Sequence, residues 1–537
     1  MAHLNESNED FDNSTSFLGD YGFFQISMMV LLSLSIVPSG NMDMISVFMS
    51  DTPEYHCKAS LNSTLNSSRI GPDSCSRNKV TVNWTETAGQ SNDTEPCLDG
   101  WVFSTEMYTA TIVSEWDLVC DNAWKVPFST SIYFIGILFG SIISGHLSDR
   151  FGRKPVFFLT MLLQAVTTLI QAASVSWLMF CILNCMRGLM SAYVASLTLG
   201  SEMLSNSARV FFSAVCHCLG YGIGYALLPL FAYFIRGWRM LLVAAAIPSA
   251  LFIPLLWVIP ESPRWLLHKG RVEEAELIIR NAAKWNKVPA PEVIFRDVQC
   301  LEHMERTYNY VDFICNTNLR NITILGVFIW FSVSVVYFGL SLNTSNLNGN
   351  PYLNCFISAA IDIMAYIAIW LLVNHVPRPT LLFCTLMFCG VMLLVTQLIP
   401  QEMQVMLQVF ALGGKIGVAG AYCFIFMFFT ELFPTVVRNM GLGVVSTASH
   451  IGIIISPYFI YMGVHMKILP FIIFGTSSIV AGAVSMLLPD TRNSKLPDVI
   501  SQTRLIRGYF TGGWVTSVAE PYPLHCCIHH TELRAGK

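Results

Sequence analysis

The sequence predicts an all-α membrane protein in which twelve transmembrane helices form two six-helix bundles. Three observations lead to this fold class. Of the 537 residues, 53% are hydrophobic and only 12% are charged, whereas soluble domains carry about 25% charged residues. Twelve apolar runs approach or exceed the roughly 20 residues that cross a bilayer. Two short motifs of the first half also recur in the second half at one constant spacing.

The predicted spans follow one another along most of the chain. The first covers about residues 22–48 and contains Pro38, Gly40 and Asp43. It is too long for a signal peptide and lacks the basic start and the small-residue cleavage site, so we count it as a spanning helix. The other eleven lie at 126–147, 156–174, 177–201, 210–233, 239–259, 321–341, 351–373, 379–399, 404–429, 441–463 and 468–489.

The distribution of Lys and Arg predicts the orientation of the chain. Basic residues favour the cytoplasmic ends of spans, and Arg150, Arg153 and Lys154 share one short connection. We therefore expect both termini in the cytoplasm of a multi-pass plasma-membrane protein. The predicted units are a cytoplasmic N-terminus (1–20), a first bundle (21–259), a cytoplasmic linker (260–320), a second bundle (321–489) and a cytoplasmic tail (490–537).

The connection at 50–124 is predicted to be a large external loop. It holds four glycosylation sequons, at Asn62, Asn66, Asn83 and Asn92. It also holds four cysteines, at Cys57, Cys75, Cys97 and Cys120. An even number of cysteines in an external segment predicts two disulfides with three possible connectivities, although free thiols in an irregular loop are the alternative.

An internal repeat supports the division into two halves. Glu202 and Arg209 recur in the second half as Glu431 and Arg438, and we call the distance along the chain from Glu202 to Glu431 the repeat spacing. The sequence Pro-Glu-Ser at 260–262 recurs at the same spacing as Pro-Asp-Thr. A repeat of six spans in the same sense predicts two halves related about the membrane normal, with a site between them near the midplane.

The strongest motif is GHLSDRFGRK at 145–154. Its glycine suits a tight turn, and its acid among three bases favours ion pairs between helices. We interpret it as a charge latch that forms when the cytoplasmic side is shut and parts when that side opens, although the same residues could serve only as topology anchors. The predicted gating residues are Asp149, Arg150, Arg153, Glu202 and Arg209, with Glu431 and Arg438 in the second half.

These motifs carry a family resemblance. GHLSDRFGRKP resembles the signature of the major facilitator superfamily, and YTATIVSEWDLVC, ESPRWLL and ELFPTVVRNMG resemble the organic ion transporters within it. LPLFAYFIRGWRMLLV, YFGLSLNTSNL and STASHIGIIISPYF are most similar to the carnitine/ergothioneine branch of organic cation transporters. The second-half copy of the Gly-Arg turn is reduced to HVPRP at 375–379, which leaves open whether both halves latch equally.

The resemblance implies secondary or facilitative transport of small organic cations or carnitine-like zwitterions across the plasma membrane by alternating access, with Na⁺ as the candidate coupling ion. The alternative within the family is a broader organic cation or organic anion transporter without carnitine activity. The sequence contains no phosphate-binding loop, no nucleophile–base arrangement and no metal-ligand spacing, so we predict neither an enzyme nor a resident cofactor or metal. A channel is disfavoured because no filter sequence is present. The expected partners are the substrate and the lipid bilayer, without nucleic acid.

Ionisable groups inside spans are the first candidates for the substrate site, because an unpaired charge there costs at least about 2.5–3.5 kcal/mol. Asp362 and Tyr366 lie four residues apart and share a helix face, and an acid beside an aromatic ring suits a quaternary ammonium group. Tyr193 matches a cavity-facing tyrosine of the resembling family. Structural pairing or packing is the alternative for each. For Arg187 we predict a structural partner.

Three further candidates complete the predicted site. Lys415 could meet a substrate carboxylate, although pairing with an acid is favoured, and Tyr337 could line the cavity or simply pack. His450 stands where the resembling carnitine branch has Arg, and a histidine with a pKa of about 6.5 is mostly neutral at neutral pH. We therefore expect simple cations to be handled better than zwitterions, and zwitterion uptake to rise as the pH falls toward about 6. A space-filling histidine is the alternative.

Overall fold

In the residues that it describes, the computed structural model is a bundle of twelve long helices with two small hairpins and a pair of linker helices. It describes residues 11, 14–58, 75–78, 94–97, 99–292, 294–295, 316–492 (except 348, 374, 401, 435–436 and 467), 497, 500 and 503. Ten of the helices in these ranges are long and apolar enough to cross a membrane. The other two are a 17-residue apolar helix near the C-terminus and a helix interrupted by a π-helical turn.

The first half supplies helices α1 to α6. Their bounds are α1 Phe23–Met44, α2 Lys125–Phe151, α3 Arg153–Ala172, α4 Trp177–Leu189 continued by Tyr193–Met203, α5 Asn206–Phe211 continued through the π-helical turn Phe212–Cys216 to His217–Phe234, and α6 Trp238–Phe252. A short helix, Ser46–Met49, extends α1. These elements follow the six spans that the sequence predicts, with the largest shift at the end of α6, which stops at Phe252 although the predicted span runs to 259.

The second half supplies helices α7 to α12. Their bounds are α7 Thr317–Leu342, α8 Pro351–Leu372, α9 Arg378–Val395, α10 Gln404–Leu432, α11 Arg438–His465 and α12 Leu469–Ser485. Helix α7 starts before the predicted span and therefore takes the last residues assigned to the linker. The twelve-helix fold class is confirmed.

Two glycines are required by their positions, one at a turn between helices and one at a close contact between helices. Gly152 separates α2 from α3 with φ 113°, a backbone conformation that favours glycine, and a Cβ atom there would lie 2.5 Å from Glu261 Oε2. Gly40 lies inside α1, where a Cβ atom would collide with the carbonyl oxygen of Tyr221 in α5. Gly40, which interrupts the apolar run of the first span, therefore allows α1 and α5 to approach each other closely.

The segment between α1 and α2 carries both hairpins and both disulfides. Strand β1 (Tyr55–Cys57) pairs antiparallel with β4 (Trp101–Phe103), and β2 (Ser76–Asn78) pairs antiparallel with β3 (Thr94–Pro96). Disulfides join Cys57 to Cys97 and Cys75 to Cys120, one of the three connectivities that the sequence allows. The four predicted glycosylation sites, Asn62, Asn66, Asn83 and Asn92, lie outside the described residues.

This segment is fastened to the start of α6. Glu115 accepts a hydrogen bond from Trp238 Nε1 at 2.7 Å and pairs with the guanidinium of Arg239. Glu115 ends a short helix, Ile112–Glu115, that begins with a capping box formed by Thr111 and Ser114. We call the side of the bundle that carries this segment the loop face.

The opposite side carries two helices of the segment between α6 and α7, and we call it the linker face. These helices are Pro263–His268 and Val272–Asn286, close to the helix predicted at 271–286. Asn286 accepts a hydrogen bond from the backbone of Phe24 at 2.8 Å and donates one to Gln25 at 2.9 Å. The linker therefore packs against the first turn of α1.

The two halves meet closely toward the loop face. Ser131 of α2 donates a hydrogen bond to the carbonyl of Ile454 in α11 at 2.7 Å. The rings of Phe134 and Phe338 lie 5.3 Å apart, and the rings of Phe48 and Tyr352 stack at 5.3 Å. These contacts form a constriction between the loop face and the middle of the bundle.

Candidate functional site

A buried ion pair occupies the middle of the second half. Lys415 Nζ of α10 lies 3.3 Å from Asp362 Oδ2 of α8, and both side chains are at most 1% exposed. Tyr337 of α7 donates a hydrogen bond to Asp362 Oδ2 at 3.0 Å and lies 3.2 Å from the hydroxyl of Tyr366. Four residues predicted from the sequence as site residues are therefore one cluster. For Lys415 the structure shows the favoured interpretation, pairing with an acid.

The first half completes the surroundings of Lys415. Its ammonium group lies 4.7 Å from the ring centroid of Tyr225, which comes from α5, and it donates a hydrogen bond to Ser358. The hydroxyl of Tyr225 lies 3.1 Å from the same serine oxygen. The ion pair therefore sits at the contact between the two halves, and movement of one half against the other would change its environment.

A second cluster of acid, phenol and base lies in the first half. Tyr133 of α2 donates a hydrogen bond to Asp43 Oδ1 of α1 at 2.7 Å. The guanidinium of Arg187 in α4 lies 4.4 Å from the ring centroid of Tyr133 and donates a hydrogen bond to Asn184 at 2.8 Å. Arg187 Nε has no hydrogen-bond partner among the described residues. Asp43 was absent from the predicted site.

The two clusters are related by the internal repeat with the acid and the phenol exchanged. Tyr133 and Asp362 are separated by the repeat spacing. Asp43 and Tyr337 stand at the same position in their helices when each is counted from the first residue, Phe23 of α1 or Thr317 of α7. Each half thus contributes one carboxylate, one phenol and one base to the middle of the bundle.

Aromatic side chains and one histidine follow the same repeat. Tyr193 lies 4.5 Å from the ring of His217 and 6.1 Å from that of Tyr221. Its counterpart at the repeat spacing is Tyr422, which stacks on Tyr337 at 4.4 Å. The counterpart of Tyr221 is His450, whose Nδ1 lies 2.7 Å from the carbonyl oxygen of Ser446.

Exposure separates the charged groups of these clusters. Asp362, Lys415 and Arg187 are essentially inaccessible, whereas Asp43 is half-buried. A cleft of about 560 Å³ opens between α1, α5, α8 and α10 toward the linker face, and Tyr366 of the second-half cluster is one of its lining residues. The least buried charged side chain of the two clusters is therefore an acid.

A network of charges closes the linker-face end of the first half. Arg153 at the start of α3 binds Glu202 at the end of α4, with Nη2 2.9 Å from Oε1, and it also pairs with Asp149. Glu261 accepts hydrogen bonds from the backbone nitrogens of Arg153 and Lys154 at 3.0 Å. Ser262 donates a hydrogen bond to Glu202 at 2.6 Å.

The other predicted gating residues of this half lie near the network. Arg209 donates hydrogen bonds to the carbonyls of Ser201 and Leu204, which hold the turn between α4 and α5. The guanidinium of Arg150 lies 5.4 Å from the ring centroid of Phe151. Of the residues that the sequence groups as a latch, Asp149, Arg153 and Glu202 form an ion-pair network, and Arg209 holds the adjacent turn between α4 and α5.

The second half repeats the network in spite of its reduced motif. Arg378 Nε lies 3.2 Å from Glu431, and the backbone nitrogen of Arg378 donates a hydrogen bond to Asp490 at 3.1 Å. Thr491 donates a hydrogen bond to Glu431, as Ser262 does to Glu202. The second half therefore keeps this arrangement, with Arg378 at the start of α9 as its arginine.

Arg438, the other predicted gating residue of the second half, lies at the first turn of α11. It donates a hydrogen bond from Nε to the carbonyl of Phe433 at 3.3 Å. Sequence reasoning missed Glu261, Arg378 and Asp490 as members of the networks. Glu261 and Asp490 are separated by the repeat spacing, which is the distance from Glu202 to Glu431. Because Glu202 and Glu431 belong to the two networks, this spacing could have identified Glu261 and Asp490 as members too.

Neutralisation of the network acids is expected to slow transport. Glu202→Gln and Glu431→Gln should each lower the maximal uptake rate about tenfold. Each substitution removes a charge-assisted hydrogen bond worth about 1.5–3 kcal/mol from the conformation in which the networks are formed, and so changes the balance between conformations. Asp149→Asn should have a smaller effect, since the side chain of Asp149 is 69% exposed and that of Glu202 is 21% exposed. Uptake is measured per molecule at the cell surface.

The exposed acid Glu273 of the linker helix provides the matched control, and Glu273→Gln should transport normally. Normal rates in both Glu202→Gln and Glu431→Gln would reduce the two networks to structural anchors.

The sequence matches known transporters along most of its length. The family model described as "Sugar (and other) transporter" matches residues 85–499. Organic cation/carnitine transporter 2 of Homo sapiens is 43% identical over 527 residues, which cover 93% of this chain and 95% of that protein. Solute carrier family 22 member 4 of Mus musculus is 40% identical, with 94% and 96% covered. The organic cation transporter protein of Drosophila melanogaster is 34% identical, with 91% and 94% covered.

Solved structures show the same fold at low sequence identity. The xylose transporter XylE from E. coli, in a partially occluded inward open conformation, has a TM-score of 0.60 and 15% identity, with 88% of this chain and 100% of that chain covered. This likeness and the resemblance of the motifs agree on the major facilitator fold. The chain is therefore a member of the sugar (and other) transporter family and of the organic cation/carnitine transporters within it, a multi-pass membrane transporter and not an enzyme.

Proposed function

We propose that this protein carries small organic cations, quaternary ammonium compounds above all, across the plasma membrane by alternating access between its two halves. The names of its relatives supply the substrate class, since the human and Drosophila proteins are called organic cation transporters. In this proposal the loop face is extracellular, and the linker face and both termini are cytoplasmic. The excess of basic residues on the linker side supports that orientation.

One observation supports cations over other solutes. Of the charged side chains in the two central clusters, Asp43 is the one that is half-buried, whereas Asp362 and Lys415 form a buried pair and Arg187 is buried. A carboxylate beside the phenol of Tyr133 offers a quaternary ammonium group both charge and an aromatic face. A quaternary ammonium group cannot donate hydrogen bonds, so it gives up no hydrogen bond to water when it enters such a site.

Carnitine-like zwitterions form the second candidate substrate class, and the name of the human relative favours them. A zwitterion also needs a partner for its carboxylate. Arg187 has an unsatisfied Nε atom among the described residues, and a rearrangement that exposes it would supply that partner. Na⁺ is the coupling ion we propose for this class, and uptake with and without Na⁺ tests it.

Replacement of Asp43 tests the proposed substrate class. Asp43→Asn should raise the KM for labelled tetraethylammonium about tenfold, because a charge-assisted contact worth roughly 1.5–3 kcal/mol is lost. The new amide can still accept the hydrogen bond of Tyr133, so the fold should persist. Uptake is measured at several substrate concentrations and normalised to protein at the cell surface.

Asp20→Asn provides the control, since Asp20 is an exposed acid just before the same helix. An unchanged KM in Asp43→Asn would contradict Asp43 as the cation-binding group. Saturable uptake of an organic anion without uptake of tetraethylammonium would contradict the substrate class itself.

A further inference from the structure

A second cavity opens at the loop face, separate from the cleft of the linker face. Its volume is about 630 Å³, and it is lined by the ends of α1, α2, α7 and α11 and by the connections around α10 and α12. We call it the loop-face vestibule and define it by six of its lining residues: Ser46, Ser50, Asp51, Thr130, Leu342 and Gln397.

The vestibule lies directly outside the constriction between the two halves. Thr130 and Leu342 line it, and one helical turn deeper Phe134 and Phe338 pack against each other at 5.3 Å. A solute in the vestibule is therefore separated from the central clusters by this aromatic contact. It is the compartment that a substrate from the loop side enters before the halves part.

Asp51 supplies the charge of this compartment. It is the acid among the described lining residues, and those residues include no Lys or Arg. Its carboxylate accepts hydrogen bonds from Tyr108 at 2.7 Å and from the backbone of Thr52 at 3.0 Å. Burial raises the pKa of Asp51, and the Tyr108 hydrogen bond only partly opposes that rise. A carboxylate held in this way gains from a neighbouring cation.

The walls of the vestibule are suited to a cation in other respects. Ser46, Ser50 and Gln397 each carry a buried oxygen without a hydrogen-bond partner among the described residues. Tyr55 and Tyr461 contribute aromatic rings to the lining. The volume greatly exceeds that of a bare metal ion, whose share of space is comparable to that of a water molecule, about 30 Å³.

We propose that the loop-face vestibule is an outer binding site for organic monocations, in which Asp51 holds the ammonium group while the constriction is shut. The site deepens the proposed function, on which its role in transport rests. It concentrates the substrate next to the central site and disfavours anions, since a cavity lined by charge of one sign focuses the field on ions that enter it.

The charge of the vestibule is measured with a thiol probe that does not depend on transport. Asn346 lines the cavity and is exposed, so Asn346→Cys introduces a reactive thiol there. The protein without that substitution gives the background. The probes are a methanethiosulfonate that carries a trimethylammonium group and one that carries a sulfonate. Asp51→Asn should lower the ratio of their reaction rates about fivefold, because the attraction for the cationic reagent is removed.

Glu54→Gln is the matched control, since Glu54 is an exposed acid three residues beyond Asp51 that does not line the cavity, and it should leave the ratio unchanged. Tetramethylammonium chloride should protect the thiol in Asn346→Cys more strongly than sodium chloride at equal ionic strength. This second measurement needs no change at Asp51. An equal rate ratio with Asp51 and with Asn at that position, or equal protection by the two salts, would overturn the site. Loss of tetraethylammonium uptake with the protection intact would overturn the proposed function instead.

Discussion

Replacement of Lys415 by methionine is expected to destabilise the folded protein by about 3–5 kcal/mol, because it leaves Asp362 as an unpaired buried charge. The side chain of Asp362 has 0% exposure, so its carboxylate is out of contact with water. Its Oδ1 atom has no hydrogen-bond partner among the described residues even with Lys415 present. The loss of the ammonium would therefore remove the main compensation for the carboxylate.

The double variant Asp362→Asn/Lys415→Met should regain most of that stability. It removes both charges and keeps an oxygen that accepts the hydrogen bond of Tyr337. Replacement of a whole buried ion pair by uncharged groups is often neutral, whereas removal of one partner is not. Thermal unfolding of the detergent-solubilised protein, together with the fraction that reaches the cell surface, measures both effects.

Lys284→Met serves as the control, because Lys284 lies exposed on the linker helix Val272–Asn286. A single Lys415→Met variant as stable as the parent would show that water or another cation already compensates Asp362. A double variant as unstable as the single one would show that Lys415 acts through packing rather than through charge.

The fold could be predicted from the sequence because bilayer thickness fixes the length of each apolar run. The positions of the apolar runs predict the bounds of α7 and α8 to within a few residues. Helix α5 was harder to delimit, since its first residues form one short helix and a π-helical turn that hydropathy does not register. Local irregularity of this kind depends on contacts with other helices rather than on composition.

The site was predictable only in part, because its pairs join helices that are distant in the sequence. Asp362 and Lys415 are predicted as site residues because a charged side chain within a span has a high free-energy cost. In the structure each is the ion-pair partner of the other. Asp43 is as unusual a residue, but in the sequence it only interrupts the apolar run of the first span. Its hydrogen bond with Tyr133 crosses the whole loop-face segment, and a single sequence contains no sign of that contact.

His450→Arg is expected to reverse the substrate preference of the transporter. The ratio of carnitine uptake to tetraethylammonium uptake should rise roughly 10- to 100-fold, since one charged hydrogen bond to a carboxylate is worth about 1.5–3 kcal/mol. Arginine offers a fixed fork of donors that matches a carboxylate and keeps its charge at every pH used. In the parent, His450 is half-buried at the repeat position of Tyr221, and its Nδ1 is engaged with the carbonyl of Ser446.

The pH response and two further variants separate charge from size. Zwitterion uptake by the parent should rise as the external pH falls from about 7.5 to about 6, because the protonated fraction of His450 increases, and His450→Arg should flatten that rise. His450→Gln keeps a polar side chain without a proton to gain, so it should retain the preference for cations and lose the pH response. His268→Arg is the control, because His268 lies exposed on the linker face. If His450→Arg reaches the cell surface with an unchanged uptake ratio, the choice between cations and zwitterions is made elsewhere, and the half-buried Asp43 becomes the residue on which to test it.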